Sequence, residues 1–593
     1  MEWPRFAKKH QLLTVLLVSL TLSFTLFGNS IGGEFVMDDT VVVEKRSDLK
    51  NSENLFNLFV SPYHQSAPYT GLFRPVTMAS YALNYAALGS DPAGFHVINI
   101  ILHALNVVLV FAVLNLITHN KLLAGGVALL FLAHPIHTEA VTSIVGRAEL
   151  LAFGFGMSAI LLALKNSRWL GAAAFLLALL SKESAIAFLP IILYLWRWQQ
   201  NWAWPVVVRR GLQLATALVP YLLLRYAALK EYIFKSDGVS FVENPLAFLP
   251  WGERIAVALK VFFLYLAKLI WPVKLSADYS YQSFSLAGNL FSSWQALVGL
   301  GILIGLVWLL IARRKSIYGV AAGLFLFPFL VISNLFLPIG TIMGERLMYL
   351  PSLGVLIIVG LVLLRLRPQI YLTAIILLAI MGGVLTVDRN RDWLTSERLL
   401  AATVAVNPNA VITRTGLAAH SLEKDDLAAA KTQLVETEKI YADYSPLQNL
   451  LGVVAAKENN FEEAERRYLR ALALNSRSIN ARDNLVDLYL NKKDYSSAAW
   501  HLSELVKLNP SQDAVIRYAY LLLLLNQPAE AIVVAQQYLA KQPDMNFFTI
   551  LGTGYFVQQN YGAALPNLEQ ARSLGNTIVQ INEMIEISEK MLK

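Results

Sequence analysis

Apolar runs too long for the core of a small soluble domain alternate with short basic or polar turns through the first two thirds of this chain. A helix needs about 20 residues to cross the hydrocarbon of a bilayer, fewer if the membrane thins and more if it tilts. By that measure spans start at Gln11 and near Phe95, Leu122, Glu149, Trp169, Ser184, Val206, Trp294, Ile317, Leu347 and Ile370, about eleven crossings in all. The stretch from Glu253 to Trp271 is also apolar but carries Arg254, Lys260 and Lys268. A full crossing there would move Arg313, Arg314, Lys315, Arg365 and Arg367 to the outer side, against the tendency of Lys and Arg to stay inside. The stretch is therefore expected in or on the membrane without crossing it. Arg5, Lys8 and Lys9 precede the first run, and no small-residue cleavage site follows it, which predicts an uncleaved span with its amino terminus in the cytoplasm. The outer side then receives the 31–94 loop, the turns at 134–147, 181–184 and 344–346, and everything beyond Asp388.

After Asp388 the pattern changes to charged, amphipathic helices that repeat every 34 residues or so. Gly452, Ala455, Ala464, Tyr468 and Ala471 occupy the small and aromatic positions of a helix-turn-helix unit. Leu485, Tyr489, Ala498 and Pro510 repeat them, followed by Ala519, Ala531 and Pro543, then Gly552, Tyr555, Ala564 and Ala571, with Gly416 and Ala428 suggesting a weaker unit before them. The phase resembles that of tetratricopeptide (TPR) repeats, in which small residues let paired helices approach and the pairs stack into a solenoid. Two domains are expected, a polytopic helical membrane domain over 1–393 and a TPR α-solenoid over 394–593, making the chain all-α. The array predicts a bound polypeptide or partner protein, and scaffolding alone is an equally open use.

Composition agrees with the pattern: 56% of residues are hydrophobic and 15% charged, with a mean hydropathy of +0.50, values outside the range of soluble globular domains. There are no cysteines, which excludes disulfides, thiolate metal sites and thiol nucleophiles. The net charge of +8 does not imply nucleic acid, because the basic residues mark helix ends.

The polar residues of the membrane region gather toward the outer side. Asp38 and Asp39 follow the first span in Phe-Val-Met-Asp-Asp, and carboxylates so close to hydrocarbon are costly unless they have a task. Arg74 stands in Phe-Arg-Pro; His96, Asn99 and His103 share one helix; His134, His137 and Glu139 lie in His-Pro-Ile-His-Thr-Glu; Arg147 and Glu149 follow in Gly-Arg-Ala-Glu-Leu-Leu. Lys182 and Glu183 fall in Leu-Ser-Lys-Glu, and Glu345 and Arg346 in Gly-Glu-Arg. His134 and His137 with Glu139 have ligand types suited to zinc, although Pro135 interrupts the helix and an interhelical hydrogen-bond network uses the same residues. Carboxylates on one face, cations at headgroup depth and a large outer loop suit a lipid-phosphate donor held while a carboxylate activates an acceptor hydroxyl.

In this order Phe-Val-Met-Asp-Asp, Phe-Arg-Pro-Val-Thr, Gly-Phe-His-Val-Ile-Asn, His-Pro-Ile-His-Thr-Glu-Ala-Val, Gly-Arg-Ala-Glu-Leu-Leu, Leu-Ser-Lys-Glu and Glu-Arg-Leu-Met-Tyr-Leu-Pro-Ser resemble the motifs of the transmembrane and TPR-containing protein O-mannosyltransferases. The resemblance runs through most of 30–410 and into the repeats. It implies the GT-C glycosyltransferase membrane fold and inverting transfer of mannose or another hexose from a polyprenyl monophosphate to Ser or Thr of a protein acceptor. It also implies Asp38 as the catalytic base with Asp39 as its acidic neighbour, and Lys182 and Arg346 on the donor phosphate. Arg74, His96, His134, His137, Glu139, Arg147, Glu149 and Glu345 would then shape the cavity or contact substrate. No metal cofactor is favoured, while a divalent cation at Asp38 and Asp39 stays open. The short array points to a bacterial relative in the inner membrane, with membrane lipid around it and the repeats on the periplasmic or outer side. The competing readings are a transporter, for which no repeats of membrane helices or midplane charges are visible, and a non-catalytic scaffold for polysaccharide or protein export, which places no demand on Asp38.

Overall fold

The computed structural model describes residues 11–50, 55–65, 68–233, 239–283, 290, 293–336, 338–540 and 544–593. Arg5, Lys8 and Lys9, which orient the first span, and Pro543 of the repeats lie outside these residues. The described residues form helices and turns without a strand. They divide into two compact units, 1–417 and 418–593. The first unit extends past the change of composition at Asp388 because Trp393 and Leu399 bury against Val36. Asn407 Nδ2 donates to Ser276 Oγ at 2.8 Å and Thr413 Oγ1 to Asp278 Oδ2 at 2.7 Å, extending the same attachment.

In the first unit the main helices are α1 (Gln11–Phe27), α2 (Pro75–Leu88), α3 (Pro92–Thr118), α4 (Lys121–Ala133), α5 (Arg147–Leu164), α6 (Arg168–Ser181), α7 (Trp204–Ala215), α8 (Leu218–Leu229), α9 (Trp251–Ile270), α10 (Trp294–Ala312), α11 (Ile317–Ile332), α12 (Pro351–Leu363) and α13 (Pro368–Asp392). Their apolar sequences are helical in a setting where every backbone polar group must be satisfied within the segment. The boundaries follow local chemistry. Asp91 accepts from the Ala93 N–H and Pro92 occupies the first turn of α3, and Pro135 ends α4, so that the chain bends by 54° into 135–142. Among the described residues six helices are long and apolar enough to cross a membrane, or seven if that bent pair is one span. The remaining spans expected from the sequence fall on shorter apolar helices, among them α6, α11 and α12, and on the broken helical stretch 183–199.

Hydrogen bonds fix which helix ends share a face. Asn390 near the end of α13 donates to Leu26 O near the end of α1 at 2.8 Å, and Arg147 opening α5 donates to Asn99 Oδ1 in the first half of α3 at 2.8 Å. At the other end of the bundle Tyr371, early in α13, donates to Leu122 O, early in α4, at 3.1 Å. α9 is flanked on both sides by attachments to one segment: Asn244 donates to Asn334 Oδ1 at 2.9 Å, and the Ser276 N–H donates to Glu345 Oε1 at 2.6 Å.

The second unit is a stack of antiparallel helix pairs from Leu427–Ile440 through Val579–Leu592. Each turn inside a pair places one residue in the left-handed region, at Asp425, Asn459, Lys493, Asn526 and Gln559, with φ of 57° to 61°. The next residue caps the second helix where its side chain allows: Asp426, Asn460, Asp494 and Asn560 each accept from the backbone N–H three positions on. Ala464, Ala471, Ala498, Ala531, Ala564 and Ala571 are fully buried. A Cβ at Gly452 would stand 2.6 Å from the Tyr468 ring, so only glycine permits that approach. In the weak first unit the buried small positions are Ala418 and Ala430, two residues beyond the expected Gly416 and Ala428. Ala428 is exposed, and the helix phase rather than the identity of the small residue sets the register.

Candidate active site at one end of the helix bundle

The two adjacent aspartates have different surroundings. Asp39 is fully buried, and its carboxylate accepts from the backbone N–H groups of Val145 at 2.8 Å and of Val36 and Ile144 at 3.3 Å, with Ser143 Oγ at 3.4 Å. It staples the 31–45 loop to the 143–146 turn. Burial pushes its carboxyl up to about 7, the backbone donors opposing. Asp38 is exposed, and its charge is felt at Arg346, Tyr63 and His64.

Cations from three separate segments, each with a carboxylate partner, lie within electrostatic range of one another, and Arg346 among them feels the Asp38 charge. Arg74, at the entrance to α2, lies 3.1 Å from Glu183 Oε2, and its guanidinium stacks 4.8 Å over the Tyr63 ring. The Phe73 N–H donates to the other oxygen of Glu183 at 3.0 Å. Lys182, where α6 ends, pairs with Glu149 of α5, and burial pulls its ammonium below the ordinary lysine range while Glu149 opposes. Arg346 meets Glu139 twice, through Nη1 at 2.9 Å and its backbone N–H at 2.8 Å. Burial works against the Arg346 cation, but Glu139 and Asp38 outweigh it and hold the guanidinium above its ordinary value. Lys182 is within electrostatic range of both Arg74 and Arg346, and Arg346 is within range of Asp38. Arg346 keeps 36% of its side chain exposed, against 9% for Lys182.

The other singled-out residues frame this cluster. Arg147 is wholly buried, donating to Asn99, Asn84 and the carbonyls of Phe95 and Ser80 and lying 4.7 Å over Tyr81. It braces α2, α3 and α5 together. His96 is buried beneath the Asp-Asp loop, 3.3 Å from where a Cβ on Gly33 would stand. Glu345 accepts from the Ser276 N–H and the Tyr279 hydroxyl, and burial pushes it up to about 7. His134 is bonded to Leu269 O at 2.9 Å and accepts from the Ile136 N–H at 3.2 Å. His137 is bonded to Phe131 O at 2.8 Å and Ser352 Oγ at 2.9 Å. With those nitrogens occupied and Glu139 held by Arg346, the zinc arrangement considered for this motif is not built. Among the described residues no group of three or more His, Asp or Glu side chains could hold a metal ion. Tyr63 and His64 are the residues that the motifs did not single out. They stand on the 31–94 loop, with rings 4.9 Å apart, and only the fold shows their closeness to Asp38. Burial pushes His64 down, with the Asp38 charge opposing.

Fold and site together define a helical, multi-pass membrane protein with a TPR solenoid and a buried charge cluster at one end of its membrane helices. No family model matches the chain. Its curated relatives are protein O-mannosyl-transferases. F38B6.6 of Caenorhabditis elegans is 26% identical over 428 residues, covering 68% of this chain and 59% of its own. Tmtc1 of Drosophila melanogaster is 26% identical over 65% of this chain and 57% of its own, and TMTC3 of Homo sapiens is 26% identical over 85% and 62%. The chain thus spans less than two thirds of the length of these relatives. Among solved structures, a TPR protein with an unusual peptide-binding site covers 32% of this chain and 97% of its own at 16% identity, with a TM-score of 0.28.

Proposed function

We propose that the chain is a GT-C-type inverting glycosyltransferase that moves a hexose, mannose by analogy with its relatives, from a polyprenyl monophosphate to a Ser or Thr hydroxyl of a protein. The observation that carries this reading is Asp38, an exposed carboxylate within electrostatic range of Arg346, which in turn shares a charged neighbourhood with Lys182 and Arg74, in a chain whose curated relatives are named protein O-mannosyl-transferases. Asp38 accepts the proton of the acceptor hydroxyl as that oxygen attacks the anomeric carbon from the face opposite the phosphate. The bond from the anomeric carbon to the phosphate oxygen breaks, and its electron pair leaves with the polyprenyl phosphate, whose added charge Arg346, Lys182 and Arg74 neutralise. Arg346, the most exposed of these cations, meets the phosphate first. Glu139, Glu149 and Glu183 hold the cations in place without donor, so the site changes little on binding. Asp39 acts as a positioning residue: its oxygens are committed to the 143–146 turn.

The cluster is placed on the outer side of a bacterial inner membrane, with the amino terminus inside and about eleven crossings. The return of both flanks of α9 to the segment 334–345 favours a helix that enters and leaves on one side. The same parity puts the repeat unit outside, where it recruits the acceptor polypeptide. In purified protein given a polyprenyl-phosphate mannose donor and a Ser/Thr-rich acceptor, Asp38→Asn is expected to bind donor normally and to lower turnover by about 10²-fold or more. Transfer at the unaltered rate would remove Asp38 from the mechanism.

A further inference from the structure

We infer that the opposite end of the first unit carries a built site for an anionic glycerophospholipid with a hydroxylated headgroup, its phosphate seated between Arg168 and Arg210. The site lies most of a helix away from the charge cluster: α5 carries Glu149 in its first turn and the cleft residue Ala163 near its end, roughly 21 Å apart at 1.5 Å per residue. A small cleft between α6 and α7 is lined by Asn166, Ser167, Arg168, Trp196, Arg210 and Gln213 among others. The turns 165–168 and 196–210 that form it contain Lys165, Arg168, Arg197, Arg209 and Arg210 and no Asp or Glu. Elsewhere in this unit the cations of the charge cluster are matched with carboxylates; here Arg210 stands within range of like-charge repulsion from Arg168 and Arg209. Its Nε and the Gln213 Oε1 are buried without a partner among the described residues. Arg168 and Arg209 are exposed and solvent screens part of that repulsion, but the buried Nε of Arg210 is left unsatisfied, and an anion in the cleft would meet both costs.

The surroundings select the kind of anion. Trp169, Leu170, Val208 and Leu212 are more than half exposed on the same two helices, in a region of membrane-spanning segments, so chains attached to the anion have apolar surface to cover. Trp196 and Trp202 stack 5.2 Å apart and Arg210 lies 5.7 Å from the Trp202 ring, the aromatic and cationic setting of a headgroup layer. The ionised oxygens of a phosphodiester satisfy the arginines but cannot donate to Gln213 Oε1. A hydroxyl on the headgroup can, which selects the phosphatidylglycerol class among anionic lipids, while the exposed apolar side chains beside the cleft favour a lipid over a free phosphate.

The test uses the full chain in nanodiscs of equimolar phosphatidylglycerol and phosphatidylcholine, extracted and weighed by native mass spectrometry. The unaltered protein is expected to retain phosphatidylglycerol. R168Q/R210Q is expected to retain it about 30-fold more weakly, the effect of losing two basic residues beside an anionic headgroup. R365Q/R367Q, which removes the same charge at another basic turn, is expected to change retention little. Equal losses in the two double variants would reduce the site to general attraction, and unchanged retention in R168Q/R210Q would overturn it outright. Displacement of the lipid by inorganic phosphate alone would refute the choice of a lipid. Independently of any variant, a photoactivatable phosphatidylglycerol should label peptides within 163–213 of the unaltered chain, and labelling confined to other segments would also overturn the site.

Discussion

The two units bury their ion pairs to different depths, although both also join separate helices: in the second, Arg467–Glu438 links residues 29 positions apart with side chains 19% and 30% exposed. In the first, Arg74–Glu183, Lys182–Glu149 and Arg346–Glu139 are partly or wholly withdrawn from solvent, with Glu139 only 3% exposed, and they join residues 109, 33 and 207 positions apart. In the second, pairs such as Arg466–Glu463, Lys439–Glu436 and Lys507–Glu504 lie three residues apart on one helix, with cations about two thirds exposed. Exposed pairs of the latter kind contribute roughly 0–1 kcal/mol, so the solenoid owes its stability to buried alanine, leucine and aromatic contacts. Pairs of the former kind cost desolvation that packed apolar residues would avoid. Their concentration at one end of the membrane helices, with Arg346 in range of Asp38, is what the proposed function uses: charge held ready for a charged ligand.

Breaking a pair in each unit tests this contrast most strongly. Lys182→Met strands the Glu149 carboxylate and is expected to destabilise the first unit by about 3–5 kcal/mol, measured by denaturant unfolding in detergent. Lys439→Met is expected to stay within about 1 kcal/mol of the parent. Equal losses would abolish the distinction. Next in size, deleting 418–593 is expected to leave transfer to a short peptide largely intact while weakening transfer to a protein acceptor by roughly 10²-fold, the scale of lost avidity; equal loss on both acceptors would assign the array a structural task instead. Arg346→Lys is expected to cost several-fold in transfer, because the backbone N–H of residue 346 still holds Glu139 while a point charge replaces the fork on the phosphate. A loss as complete as that of Asp38→Asn would show that the fork itself is required.

A further effect concerns pH. The folded-state pKa of Asp39, about 7 against 3.8 for a free carboxyl, means that the folded state holds this proton more tightly. The resulting stabilisation is complete below about pH 4 and is lost as pH rises through about 7. The melting temperature of the parent relative to Asp39→Asn should therefore fall over that window and be flat above it. A difference that does not vary with pH would show Asp39 ionised throughout.

Much of this was legible before any coordinates. Apolar run length marked the first span from Gln11, now α1, and the 34-residue phase placed Ala464, Ala498, Ala531 and Ala564, all fully buried. Motif order brought Asp38, Arg74, Lys182 and Arg346 into one proposal. The assignment of Asp38 as base and Asp39 as its neighbour was made from the motif, but the burial of Asp39 was not legible, because it depends on a turn 104 residues away at Ser143. Nor were the partnerships: nothing in Leu-Ser-Lys-Glu says that Lys182 turns to Glu149 while its neighbour Glu183 turns to Arg74. Tyr63 and His64 carry no periodic or motif signal, and only the return of the 31–94 loop brings them to Asp38. The shift from Ala428 to Ala430 came from trusting a small residue over the helix phase in a weak repeat.

A structure determined with the polyprenyl-phosphate mannose donor added would show whether one charged cluster binds a lipid-linked phosphate within reach of Asp38. Density for the phosphate is expected against Arg346, with Lys182 and Arg74 behind it and the anomeric carbon facing Asp38. Donor bound elsewhere, or with its phosphate turned away from all three cations, would contradict the proposed mechanism.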